Sequence, residues 1–116
     1  MLKNRPRRIR SNEFSRRLTS ECQLSIDDLI YPVFVIEGKK IKEEIESMPG
    51  TFRFSIDELI NEARECYKLG IPAIALFPVI DDKIKTLDAR ESFNKDGLIP
   101  KTIKALKKAI PKLGII

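Results

Sequence analysis

Residues 73–80 read AIALFPVI, and residues 29–36 read LIYPVFVI. Both are unbroken apolar runs rich in β-branched and aromatic side chains, with no polar alternation. That pattern belongs to strands covered on both faces, as in a parallel sheet. Each run contains a proline, Pro32 and Pro78. Proline has no N–H for a ladder, so the strands are expected to bend, bulge or end near those points.

What lies between the runs reads as helix. Ser55 stands as an N-cap before IDELINEARECYK, and Glu58 three residues on completes a capping box. Ile56, Leu59, Ile60, Ala63, Cys66 and Tyr67 form one apolar stripe at helical spacing. Gly70 is placed for a left-handed C-cap and Pro72 forbids continuation. Cys66 therefore reads as core filler rather than a reactive thiol. A second helix is predicted over about residues 98–110, capped by Asp96, with Pro100 tolerated in the first turn. Ile99, Ile103, Leu106, Ile110 and Leu113 are expected on one face, and Lys101, Lys104, Lys107 and Lys108 on a solvated one.

The letters KLGI recur at 68–71 and 112–115, and Leu29 to Ala73 spans the same 44 positions as Lys68 to Lys112. The chain is thus a strand–loop–helix unit repeated once, followed by a third strand opening at Ile115-Ile116. Strands alternating with helices imply parallel pairing through right-handed crossovers. Two strands and a stub cannot cover their own edges or both faces, so the predicted fold class is α/β, the first part of a larger protein. Eight such units come to roughly 350 residues, within the range of a (β/α)8 barrel. A doubly wound open sheet is the alternative, but its Gly-rich turn is not matched by EGKKIKEE after the first strand. Residues 1–24 are read as a basic N-terminal arm and residues 25–116 as the N-terminal part of the barrel domain.

Composition bounds the chemistry. The 116 residues suit one domain or a piece of one, and 42% apolar content supports a packed core. No stretch of about 20 apolar residues exists, so no membrane span is expected. The N-terminus lacks the apolar core of a signal peptide, and Cys22 and Cys66 read as reduced thiols of a cytoplasmic protein. With no histidine, this chain holds no His general base, His-dependent triad or His metal ligand.

The charge of +5 is uneven. Residues 1–17 hold seven basic side chains against Glu13 alone, a net +6, and leave a body at −1. RPRRIR has arginine density without interleaved aromatics. It reads as an extended arm that packs on a second subunit through arginines, Phe14 and Leu18, or as a plain solvated tail, in preference to a phosphate-binding tail. In the body, two long connections follow the strands: 37–54 (EGKKIKEEIESMPGTFRF) and 81–97 (DDKIKTLDARESFNKDG). Their length points to function or to oligomer contacts. Asp81 and Asp82 could hold a cation, but a solvated turn with local backbone bonds is preferred.

These residues carry a resemblance. RPRRIR, then DDLIYPVFVIEG, SMPG, FRFSIDELINEA, LGIPAIALFPVI, ESFNKDGLIPKTIKALK and LGII, run collinearly like the start of the porphobilinogen synthase (5-aminolevulinate dehydratase) family. The resemblance implies a (β/α)8 barrel, an arm embracing a neighbouring subunit, and commonly a homo-octamer. It implies condensation of two 5-aminolevulinate molecules to porphobilinogen through Schiff bases on two lysines, on the route to haem. It also places both lysines, and the zinc- or magnesium-binding segment, beyond residue 116. No catalytic, cofactor-binding or metal-ligating residue is therefore assigned here, and the chain alone is expected to be inactive. A stand-alone assembly fragment and a basic-arm nucleic-acid module remain the alternatives.

Overall fold

The computed structural model describes residues 8–116. Five strands form one sheet in the order β2-β3-β1-β4-β5, with β1 at Ile30–Val35, β2 at Lys42–Glu44, β3 at Phe52–Phe54, β4 at Ala73–Pro78 and β5 at Gly114–Ile115. Helices α2 (Ile56–Lys68) and α3 (Leu98–Ala109) link the central strands, and a short α1 (Glu13–Leu18) precedes them. The two apolar runs are indeed parallel neighbours, in register from Ile30 opposite Ala73 to Val35 opposite Pro78. The repeat of KLGI is structural as well: Ala73 pairs with Gly114 and Ile74 with Ile115 in a third parallel strand.

Pro32 lies within an unbroken β1, whereas β4 ends at Pro78. The Val79 amide donates to the Val35 carbonyl at 2.7 Å, and the Ile36 amide to the Phe54 carbonyl at 2.9 Å. Odd-numbered residues of β1 thus bond towards β4, and even-numbered ones, Pro32 among them, point to the other edge. In β4 the Leu76 amide donates to Ile116 and the Ile74 carbonyl accepts from it, so Pro78 also faces away from the β1–β4 ladder. Each missing N–H falls where the shared ladder needs none.

Both helices lie on one face of the sheet. Val33, Val35 and Ile74 pack with Leu59, Ala63, Cys66, Leu106, Ile110 and Leu113 into a buried core, joined by the half-buried Tyr31 and Leu76. Helix α2 ends as the sequence predicts. Gly70 takes φ +90°, with its amide bonded to the Tyr67 carbonyl and the Ile71 amide to Cys66, a Schellman closure. Its start differs. The Ser55 hydroxyl forms no cap bond to the helix and no box with Glu58; it is bonded to Ile41 and Asp57 instead.

The N-cap of α3 is Gly97, not Asp96. Its buried positions are Leu98, Thr102 and Leu106, whereas Ile103 is exposed and Ile99 only half-buried. Thr102 is accepted in the core because its hydroxyl donates to the Leu98 carbonyl at 2.7 Å, which removes the cost of burying it. In its first two turns the core stripe thus runs through Leu98 and Thr102 in place of Ile99 and Ile103, while Leu106, Ile110 and Leu113 are buried as expected. Lys101, Lys104, Lys107 and Lys108 are exposed, as expected of a solvated face.

The long connection 37–54 is not an irregular loop. It folds into an antiparallel hairpin, Lys42 opposite Phe54 and Glu44 opposite Phe52, and β3 then joins the sheet parallel to β1. The SMPG turn closes it: Gly50 adopts φ +80°, and the Thr51 amide returns to the Met48 carbonyl. Lys42 lies over the Phe52 ring, 4.7 Å from its centroid, so its charge is held by the aromatic pair while its stem covers them.

The arm is not wholly extended either. Residues 1–7, and with them half of RPRRIR, lie outside the described residues. Arg8–Arg10 form a 3-10 turn and Glu13–Leu18 a helix, at whose start the Ser15 hydroxyl donates to the Asn12 carbonyl at 2.9 Å. Glu13 in the first turn and Arg16 and Arg17 in the last complement the helix dipole, which offsets the repulsion among arginines. Ile9, Phe14, Leu18 and Leu24 are all exposed on this segment. The molecule measures 61 × 35 × 27 Å, with a radius of gyration of 20.7 Å. A compact chain of this length would have about 13 Å.

Candidate functional site at the strand ends

An open cleft of about 990 Å³ lies at the C-terminal ends of β1 and β4. Its floor is Ile36, Glu37, Pro78, Val79, Ile80 and Asp81; one wall is the 81–97 connection, and the far side is the start of α3 at Gly97 to Pro100. In parallel α/β folds this end of the sheet carries the chemistry, because loops from several strands converge there.

The polar groups around the cleft are bonded within their own loop. Asp81 accepts from the Lys83 amide at 2.9 Å. Asp82 pairs with Lys85 at 2.6 Å, and that ammonium holds the Asp82 carboxyl below its ordinary value. Asp88 is lowered by the Thr86 hydroxyl and by the Arg90 guanidinium, 2.6 Å away. The Ser92 hydroxyl donates to the Ala89 carbonyl at 2.7 Å. Asp81 and Asp82 thus form the local turn preferred from the sequence. Among the described residues no three His, Cys, Asp or Glu side chains come together in a way that could hold a metal ion. The donor set for zinc or magnesium is not assembled by these side chains, and no step is derived through one.

The sheet face opposite the helices adjoins the cleft. Register places Ile30, Pro32 and Phe34 beside Ala73, Ala75 and Phe77 on it, and the Phe34 and Phe77 rings lie 5.8 Å apart. This face is apolar, and among the described residues no helix covers it. The edge of β1 is partnered by β3 only at Phe34 and Val35, so Ile30 to Val33 leave their outer edge free.

Two features escaped the sequence reading. One is the hairpin. Its signal was present as Thr51-Phe52-Arg53-Phe54, a period-2 pattern after a Met48-Pro49-Gly50 turn. The other is Tyr31, whose hydroxyl donates to Glu62 Oε1 at 3.1 Å on the helix-covered side. Burial, then the Glu62 charge, pushes the Tyr31 hydroxyl up to about 12, and burial raises the Cys66 thiol beside it. Cys66 is a buried, inert core thiol and Cys22 an exposed one, both free.

Parallel strand–helix units with an open cleft at the strand ends define an α/β protein. Comparison narrows the class. The family model described as delta-aminolevulinic acid dehydratase matches residues 3–116, and the chain belongs to that family. The Bradyrhizobium diazoefficiens delta-aminolevulinic acid dehydratase is 42% identical over 112 residues, covering 97% of this chain and 32% of that protein. The Synechocystis enzyme is 43% identical over 112 residues, with 97% and 34% covered. The crystal structure of the Toxoplasma gondii ME49 enzyme, in complex with its reaction product porphobilinogen, superposes with a TM-score of 0.86 at 42% identity, covering 98% of this chain and 32% of that one. The chain therefore spans about a third of the length of these relatives.

Proposed function

We propose that residues 25–116 supply the first two βα units and the opening of the third strand of a (β/α)8 barrel, and that the complete protein is a porphobilinogen synthase. It would condense two molecules of 5-aminolevulinate into porphobilinogen, in the cytoplasm. The observation that carries this reading is the parallel order β1-β4-β5, with helices on one face and an uncovered apolar face on the other. A closed barrel buries that second face. The Schiff-base lysines and the zinc or magnesium ligands belong to the remaining two thirds of the family's length. The described lysines are all exposed, whereas a Schiff-base lysine needs an apolar pocket that depresses its amine. Residues 1–24 serve as the arm of a homo-oligomer, with Phe14, Leu18 and Leu24 covered by a second subunit.

Two preparations test this. Residues 1–116 alone, given 5-aminolevulinate with zinc or magnesium, are expected to form no porphobilinogen, and borohydride to trap no substrate on a lysine. A chimera in which residues 1–116 replace the matching third of the Bradyrhizobium enzyme is expected to make porphobilinogen. A trapped lysine in the first, or a folded but inactive chimera, overturns the reading.

A further inference from the structure

The start of α2 is built unlike an ordinary helix start. Ser55 sits at the N-cap and is fully buried, yet its hydroxyl serves the loop rather than the helix. It accepts from the Ile41 amide at 2.9 Å and donates to Asp57 Oδ1 at 2.6 Å. The Ser55 amide donates to the Ile41 carbonyl at 2.9 Å, and the other Asp57 oxygen accepts from the Lys40 amide at 2.8 Å. Three backbone groups of the turn after β1 are thus gripped by two side chains and one amide across 14 to 17 residues.

The turn so gripped is not a relaxed one. Gly38 has φ +132° and Lys40 φ +55°, the latter a left-handed conformation that a lysine takes at a cost. The grip offsets that cost. Immediately before the turn stand Ile36 and Glu37, both on the floor of the strand-end cleft. Immediately after it stands β2, whose partner β3 occupies the edge of β1.

We propose that Asp57 and Ser55 are positioning residues for the strand-end site: they clamp the Gly38–Ile41 turn and thereby hold Glu37 on the floor of the cleft. Asp57 suits the task because its carboxylate sits in the first turn of α2, where the amide dipoles favour a negative charge. The ionised carboxylate gives the Lys40 amide a charge-assisted bond, stronger than a neutral one. The site role rests on the porphobilinogen synthase reading; the clamp itself does not.

Asp57→Asn in the chimera keeps the shape and removes the charge, and Asp57→Glu keeps the charge. Amide hydrogen exchange and steady-state kinetics separate the two parts of the proposal. With Asn, exchange at Lys40 and Ile41 should quicken on the order of tenfold, the loss expected of one charge-assisted bond, with Leu59 and Ile74 unchanged. The ratio kcat/KM should fall on the order of tenfold with the thermal midpoint held, and Glu should restore part of both. Unchanged exchange at Lys40 and Ile41, or equal quickening in the core, overturns the clamp. A loosened turn with full kcat/KM overturns the positioning role. A parent chimera without activity sinks the family activity instead, while the exchange data still decide the clamp.

Discussion

The two strand-to-helix connections have similar lengths and opposite construction. Residues 37–54 are tied to distant parts of the fold: to β1 through β3, and to α2 through Ser55 and Asp57. In residues 81–97 every side-chain hydrogen bond reaches no further than four positions along the chain. The first connection is part of the sheet; the second is a chain of local turns over a cleft. A connection held by long-range bonds has its conformation set by the fold, whereas one held by itself is left to be set by what packs on it.

Truncation of an apolar side chain should show the contrast most strongly. Leu59 is fully buried beneath the sheet, on the helix that anchors the hairpin, while Leu87 of the second connection is fully exposed. Leu59→Ala should cost about 2–5 kcal/mol, by lost burial plus the cavity left behind. Leu87→Ala should stay within about 0.5 kcal/mol. Urea denaturation of the two chimeras measures both, and a large cost at Leu87 would mean that the second connection is packed after all.

Glycine replacement gives the next largest difference. A Cβ at Gly38 would fall on Ile41 Cδ1, in a backbone conformation that few other residues adopt. Gly38→Ala should therefore cost about 1–3 kcal/mol. At Gly97 the Cβ would meet Glu91 Oε1 at 2.6 Å and the Asn94 carbonyl at 3.1 Å, with an ordinary φ of −71°. The carboxylate is the free end of a flexible side chain, and alanine is only a poorer N-cap than glycine, so Gly97→Ala should cost about 1 kcal/mol or less. Equal effects in thermal denaturation would erase the distinction between the connections.

This contrast also marks what the sequence could disclose. Strands β1 and β4 and helix α2 were legible because apolar runs, a helical stripe and Gly70-Pro72 are signals carried by neighbouring residues. The hairpin was not, because 37–54 was read by its length as a strand-to-helix loop. Its Phe52 and Phe54 pair with Glu44 and Lys42, eight and twelve positions away, and no local rule supplies that partner. Ser55 was identified as the helix start, but its hydroxyl was committed to Ile41, 14 residues upstream. The core stripe of α3 passed over Thr102 because a hydroxyl reads as surface until its bond to Leu98 is seen. The place of the site at the strand ends followed from fold class alone. The bonding within 81–97 needed coordinates.

Acid should separate the connections by the smallest but most specific margin. Asp57 is held below the ordinary 3.8 by the Ser55 hydroxyl first and the Lys40 amide second. Asp82 is lowered by Lys85, and Asp88 by Thr86 and then Arg90. A carboxyl whose folded value is depressed contributes stability that is present above its unfolded value and is lost as pH falls through the folded one. All three contributions are therefore intact at neutral pH and disappear only below about 4. The consequences differ by what each carboxylate holds. Protonating Asp82 or Asp88 frees a partner two or three residues away, so the change stays within its own turn. Protonating Asp57 frees the Lys40 amide and weakens the Ser55 grip on Ile41, so a turn 17 residues distant should loosen. Followed by NMR from pH 7 down to 2.5, the Lys40 and Ile41 amide signals should titrate with Asp57, shifting together at a midpoint below 3.8. Asp57→Asn should abolish that transition and leave those of Asp82 and Asp88 in place. Lys40 and Ile41 amides that ignore the Asp57 titration would place the turn under other control and make the two connections alike.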